Sequence, residues 1–329
     1  MQGTTPRVSI GMPVRNGQRF VRAALDSLLA QTFADFEIII CDNASTDNTE
    51  AIVREYCQRD PRVRYHRNAR DIGPAANHNL GFELARGEYF RWHAHDDMIA
   101  PRYLQACVAA LDADPSIVLA YPKTLIVDEH GRALEQYEFK PATDSTDVCR
   151  RWAELVLVNH RRHRAVEIFG LMRASALRQT PLEGGYARGD SVLLARMALL
   201  GRFVELPDRL FLSRSHSSQS MQTLPAHVKN GKRRLSRWLG TGPLPPPEWW
   251  DSSLTGKVTF PEWNLLKEYW VSVARAPLRV TQRARCYLTM LMWLVHNAPK
   301  LARDLVFAAE HLFMPKIDKR SPTSGPQVI

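Results

Sequence analysis

The chain has 329 residues, 45% of them hydrophobic, a content that supports a packed globular protein of one large or two modest domains. No apolar run approaches ~18 residues and no charged-then-apolar leader opens the chain, so neither a spanning helix nor secretion is signalled, and cytosolic residence is the expectation. The formal net charge of +10 is uneven, with 28 basic and 27 acidic residues through Pro225 against 16 and 7 beyond it; five scattered cysteines (Cys41, Cys57, Cys107, Cys149, Cys286) without a Cys-x-x-Cys pair argue against a disulfide framework or structural zinc and read as reduced thiols.

In chain order, the β-rich apolar run 8–14 predicts a strand, the apolar spacing over 20–29 a helix, and 36–41, with three consecutive isoleucines, a second strand. Helix 49–58, strand 63–66, helix 75–85 and strand 89–92 follow, then helix 102–112 and strand 117–121. Such repeats imply a parallel sheet, which presents ligands at the carboxyl ends of its strands. Those ends carry Pro13-Val14-Arg15-Asn16-Gly17, Asp42-Asn43-Ala44-Ser45-Thr46-Asp47 and Ala94-His95-Asp96-Asp97, so three polar loops converge on one edge. Past Lys123 the pattern changes to a ribbon over 125–139, a helix over 148–158 and a strand over 166–172. An amphipathic helix over 192–200 is preceded by Gly189-Asp190, and a strand over 209–212 leads into Arg214-Ser215-His216.

Adjacent carboxylates at a strand end suit a hard divalent cation, which makes a metal-diphosphate site the first hypothesis at Asp96 and Asp97. No Gly-x-Gly-x-x-Gly follows the first strand and no Gly-Lys-Ser/Thr loop occurs, so a dinucleotide dehydrogenase and a P-loop enzyme lose their main support. A carboxylate such as Asp42 can accept from an imide N–H of a nucleobase; segment 42–47 equally suits an Asx-turn and helix cap. His93 and His95 stand at strand spacing, the opening of a His-x-His metallohydrolase pattern whose further ligands are not evident.

Together these segments resemble inverting family 2 glycosyltransferases, which have a GT-A fold and transfer sugar from a nucleotide-sugar donor; the resemblance spans about residues 8–220. It implies an α/β, Rossmann-like, mainly parallel central sheet flanked by helices. Pro13, Val14, Arg15 and Asn16 look like the family's opening nucleotide loop, and Asp42 with Asn43 its base-binding segment. Asn68, Gly73 and Asn77, with Asp71, Asn79 and Gly81 nearby, resemble the stretch that leads the donor toward the metal. Ala94-His95-Asp96 stands where the family has Asp-x-Asp. It implies Mn²⁺ or Mg²⁺ on Asp96, with Asp97 and His216, and His95 in place of the contact that Ala94 lacks. Phe169 to Arg173 resembles the strand below the acceptor. Asp190, in the place of the family's Glu-Asp motif, would be the base that deprotonates an acceptor hydroxyl, while Gly189 replaces the usual acid; capping of the helix is its structural alternative. Arg214 and His216 would meet the donor diphosphate.

The expected layout is a catalytic domain over 1–225, with a nucleotide-binding half to residue 125 and an acceptor-binding half from 126. A basic, tryptophan-rich helical extension over 226–329 follows, marked off by Pro243, Pro245, Pro246 and Pro247. Its faces over 260–315 suit contact with the inner surface of a membrane, packing on the catalytic domain, or a homodimer interface; no recognition motif supports nucleic acid. Arg161-Arg162-His163-Arg164 reads as a solvated basic loop. The functional expectation is a metal-assisted transfer from a UDP-sugar to a saccharide or lipid-linked hydroxyl in surface polysaccharide or glycolipid assembly. The alternatives are a catalytically silent nucleotide- or glycan-binding protein, suggested by Ala94 and Gly189, and the metallohydrolase.

Overall fold

The computed structural model describes residues 5–160, 162–217, 219, 250, 251, 254 and 257–313. β1 (Val8–Val14) pairs in parallel with β2 (Phe36–Asp42) and β4 (Tyr89–Trp92), and β2 with β3 (Val63–Arg67). β2 is buried at all seven positions, which is why its sequence is a nearly continuous apolar run rather than an alternation. The crossovers are α1 (Val21–Leu29), α2 (Thr49–Arg59) and α3 (Pro74–Glu83). Each begins just past a strand's carboxyl end, so the polar residues between strand and helix gather on one rim of the sheet.

The second half weaves back into the same sheet. β6 (Ile117–Val127) follows α4 (Tyr103–Ala113) and runs parallel to β9 (Arg202–Arg214), while β8 (Leu171–Arg173) sits antiparallel between β4 and β6. β7 (Ala133–Tyr137) folds back on β6, completing the expected ribbon. The two-residue β5 (Met98–Ile99) pairs only with β9, Met98 opposite Leu212 and Ile99 opposite Phe211, and the order across the sheet is β3-β2-β1-β4-β8-β6-β9-β5. The sheet is therefore parallel on its first four strands and along β6 and β9, with the short antiparallel strands β5, β7 and β8 making it mixed in its second half.

Several element boundaries differ from expectation. Strands β6 and β9 are longer than the runs 117–121 and 209–212, because each pairs along the other over most of its length. The expected division at 125/126 falls inside β6. The expected strand 166–172 divides into a 3-10 turn, Val166–Phe169, and the short β8; Ala165 at φ 50° turns the chain, and a Cβ at Gly170 would lie 2.8 Å from Leu119 Cδ2 and 3.0 Å from the Ala120 carbonyl. α7 (Gly189–Leu200) is buried on almost every side rather than amphipathic, as befits a helix enclosed between the sheet and other helices.

Beyond residue 257 two helices, α8 (Pro261–Arg275) and α9 (Val280–Phe313), pack on α7 and on α5 (Val148–Val156). α9 is one continuous helix with Pro299 inside it. Cys286, Met290 and Trp293 of α9 and Tyr269 of α8 join Trp152 and the α7 side chains in one core cluster, so packing on the catalytic half accounts for their inner faces. Arg196 donates to Ser272 Oγ at 3.0 Å and to Glu268 Oε2 at 2.6 Å, and Arg285 pairs with Asp147 at 2.7 Å, pinning both helices. Among the described residues no helix is long and apolar enough to cross a membrane. The segment 226–249 of the expected extension lies outside the described residues.

Candidate active site

The first two rim loops are built as one piece. Asn16 holds φ 52°, and from there its N–H donates to Ser45 Oγ at 2.9 Å while its Oδ1 accepts from the Thr46 N–H at 2.8 Å. Gly17 N–H donates to Thr49 Oγ1 at 2.8 Å, and a Cβ on Gly17 would lie 2.7 Å from the His95 ring, so this glycine lets the first loop close on the third. Pro13 and Val14 form the end of β1 beneath it, and the Val14 carbonyl accepts from the Asn43 N–H at 2.8 Å. Arg15 is exposed and pairs with Asp71.

A chain of buried amides ties the second loop to α3. Asn43 Nδ2 donates to Asp71 Oδ1 at 2.6 Å, Asn68 Nδ2 to Asn77 Oδ1 at 2.9 Å, and Asn77 Nδ2 to the Cys41 carbonyl at 2.8 Å. Gly73, at φ 87°, starts α3 in a conformation that L side chains rarely adopt. Asn68 and Asn77 are thus placed to hold the floor of the rim rather than to reach into it, and Asn79, bonded to the Glu183 carbonyl at 2.8 Å, is likewise spent on the protein. Asp42 is fully buried; its carboxylate accepts from the Ser45 N–H at 2.8 Å and the Tyr65 hydroxyl at 2.6 Å, the Asx-type turn foreseen as the structural alternative for this segment.

The acidic turn separates its two carboxylates. Asp96 is half-buried and its Oδ2 lies 2.9 Å from His216 Nε2. Asp97 is buried and accepts from the Arg214 N–H at 2.7 Å; burial, and then the charge of Asp96, push its carboxyl well above the usual range. Asp97 is thus committed to the backbone at the end of β9, while Asp96 meets His216. Arg214 is a brace instead of a diphosphate contact: it donates to the carbonyls of Asp96 and Glu129, each at 2.7 Å, and lies over the Phe20 ring. His216 packs on the same ring, centroids 4.5 Å apart, and its buried Nδ1 has no hydrogen-bond partner among the described residues.

Among the described residues no three His, Cys, Asp or Glu side chains are arranged to hold a metal ion. Asp96 and His216 are the two that meet; one carboxylate and one imidazole fit Mn²⁺ or Mg²⁺ if oxygens of the ligand complete the shell. His93 is fully buried and bonded through Nδ1 to Arg91 at 3.2 Å, and burial pushes its pKa well below the usual value. The His-x-His hydrolase reading therefore lacks its second imidazole. His163, expected in a solvated basic loop, is buried and bonded to Glu167 at 2.8 Å.

Asp190 lies in the first turn of α7, whose cap is Arg188 at φ 66°; its Oδ1 accepts from the adjacent Ser191 N–H at 2.7 Å. Burial raises its pKa, and the next cause is Glu183. Glu183 was not foreseen: it precedes Asp190 by one short loop, and its Cγ sits 2.9 Å from where a Gly189 Cβ would be. An acid thus stands beside position 189 although the residue there is glycine. Its carboxylate also lies 2.7 Å from His78 Nδ1, and His78 stacks on Trp92, ring centroids 4.4 Å apart at 11°. No spacing rule links positions 78, 92, 183 and 190; only the fold does.

Glu183→Gln removes one of the two negative charges and is expected to lower the Asp190 pKa. Its ionisation, followed by ¹³C NMR of the aspartate carboxyls, would move to lower pH; an unmoved titration would separate the two acids.

A rim of three interlocked loops on a parallel sheet, continued by a mixed half that offers a partly desolvated carboxylate, is the GT-A arrangement. The 1–349 fragment of TarS from S. aureus, crystallised with UDP-GlcNAc, superposes with a TM-score of 0.55 over 93% of this chain and 91% of that one at 17% identity. Residues 9–169 match the model described as Glycosyl transferase family 2, and over that stretch the chain belongs to this family. It is 32% identical over 138 residues, 41% of this chain, to an uncharacterised glycosyltransferase of Methanocaldococcus jannaschii, and 32% identical over 130 residues, 39% of this chain, to chondroitin synthase of Escherichia coli. The chain spans 47% of the first and 19% of the second, less than half of either.

Proposed function

We propose that this protein is an inverting transferase that moves a sugar from a nucleotide-linked donor, UDP first among them, to a hydroxyl of a saccharide or lipid-linked acceptor in surface polysaccharide or glycolipid assembly. The observation that carries this reading is the pairing, on one GT-A scaffold, of the Asp96–His216 couple at the donor rim with Asp190 beside Glu183 on the acceptor side. The rim formed by residues 13–16, 42–43, 73 and 95 receives the nucleotide, and Asn68 and Asn77 fix its floor. Asp96 and His216 would hold a divalent ion, whose charge would neutralise a departing diphosphate. Arg214 keeps the acidic turn in place and Asp97 anchors it, so both act by positioning. Asp190, its pKa raised by burial, accepts the acceptor's proton as the hydroxyl attacks from the face opposite the leaving group, which gives inversion.

The test is calorimetric titration with UDP, GDP, dTDP and CDP, with Mn²⁺ and with EDTA, using wild type beside Asp96→Ala. One nucleotide should bind in a metal-dependent way and lose that dependence in the variant. No binding under any condition would sink the transferase reading and favour a silent glycan-binding domain.

A further inference from the structure

The outer face of α9 has no covering element among the described residues, yet it is apolar along most of its length. Cys286, Met290, Trp293, Asn297 and Leu301 face the core. On the other side Leu288, Leu291, Met292, Val295 and Leu305 are 50–76% exposed, joined by the exposed Ala284, Ala298, Pro299, Ala302 and Ala309, while the exposed Arg285 and His296 lie just outside this set on one flank. At 100° per residue these positions stay within an arc of about 140° from Ala284 to Ala309, a stripe about 38 Å long at ~1.5 Å per residue, with no charged side chain inside it. A soluble helix exposing this face alone would present an apolar patch of the kind that marks an interaction surface.

The edges of the stripe say what covers it. Along one edge runs α8, whose Trp270 packs against Tyr287 of α9, ring centroids 4.5 Å apart, and whose Trp263 Nε1 donates to the Leu301 carbonyl at 3.1 Å; the two indoles stay 46% and 39% exposed. Arg275 and Arg279 lie exposed at the helix ends that open the stripe, with Arg285, paired to Asp147, beside them and Lys267, 3.6 Å from Glu268, exposed between the indoles. Of the acids, Glu262 and Asp304 are buried and Glu268 is shared by Arg196 and Lys267, which leaves Glu310 past the end of the stripe against this basic border. The face is therefore an apolar stripe with amphipathic indoles and a cationic border.

We propose that this face lies on an anionic lipid surface, with α9 parallel to the membrane plane, its stripe in the acyl boundary, Trp263 and Trp270 at headgroup level and the basic border on the phosphates. A second copy of this chain fits less well, because it would bring the same cations against themselves. The surface goes beyond the transfer reading, and its test does not depend on which sugar, if any, is moved.

The full-length protein is sedimented with vesicles of phosphatidylcholine alone and of phosphatidylcholine with phosphatidylglycerol, at low and high salt, beside Leu291→Asp/Val295→Asp. Both substituted residues are exposed, so the variant should keep the wild-type melting curve. The wild type should prefer the anionic vesicles, and the double variant should partition at least roughly tenfold less, the loss expected when two apolar side chains no longer enter the acyl layer. Indole fluorescence should shift to the blue on the same vesicles, and replacing Trp263 and Trp270 by Phe should diminish that shift. Absence of sedimentation, or partitioning unchanged by the two aspartates, overturns the proposal. So does a doubled mass by light scattering, abolished by the same variant, in a protein indifferent to vesicles; that result assigns the face to a second copy.

Discussion

Asp190→Asn is expected to lower the transfer rate by roughly 10³-fold while leaving nucleotide affinity unchanged, a loss of about 4 kcal/mol of transition-state stabilisation. Asparagine keeps the shape of the side chain and an oxygen for the Ser191 N–H, so the first turn of α7 is preserved. What disappears is the carboxylate that the proposed base role requires. Burial, and next to it the charge of Glu183, raise the pKa of Asp190 from the ordinary carboxylate range, the direction that strengthens a carboxylate as a base. Single-turnover rates beside calorimetric nucleotide binding separate the possibilities. Parallel loss of binding and rate would make Asp190 a structural acid, and an unaffected rate would put the base elsewhere.

The second large effect is expected at a residue with no side chain. A Cβ at Gly189 would lie 2.5 Å from the Gly184 carbonyl oxygen and 2.9 Å from Glu183 Cγ. A backbone oxygen cannot swing aside as a side chain can, so Gly189→Ala forces the 183–190 loop outward and carries Asp190 with it. Displacement of a reacting group by about 1 Å can reduce rate by ~10²-fold, and overpacking of this kind destabilises by about 1–3 kcal/mol. The expected result is a rate lowered roughly a hundredfold and a melting temperature lowered by several degrees, with nucleotide binding on the far rim intact. Gly189→Glu, which restores the acid usual in the family, should fare no better, because its Cβ meets the same oxygen. A fully active alanine variant would show that the loop relaxes without consequence.

β1 and β2 could be read within a residue or so because buried parallel strands must be apolar on both faces, whereas β3, at the edge of the sheet, is buried only at Val63. Beyond Lys123 the same reasoning ran short. β6 and β9 extend past their apolar runs through pairing with each other, a partnership between distant segments that leaves no periodic trace, and α7 looks amphipathic only until α8 is seen to cover its other side. Site residues divide similarly. Asp96 and His216 come together as a pair, which the resemblance led one to expect. Asp97 and Arg214 are bonded to the protein's own backbone, partners that residue type alone does not reveal. The Glu183–His78–Trp92 contact unites segments from both halves and could not be found by reading either alone.

The pairing of β5 with β9 also fixes an order in time. A ribosome releases the chain from its first residue, at about 5–20 residues per second. The first four strands of the sheet can pair soon after they emerge, but Met98 and Ile99 have no strand partner, and the Asp97 carboxylate lacks the Arg214 N–H, until Phe211, Leu212 and Arg214 have been made. For several seconds of synthesis a nascent chain thus has its parallel half without the strand that fastens its acidic turn.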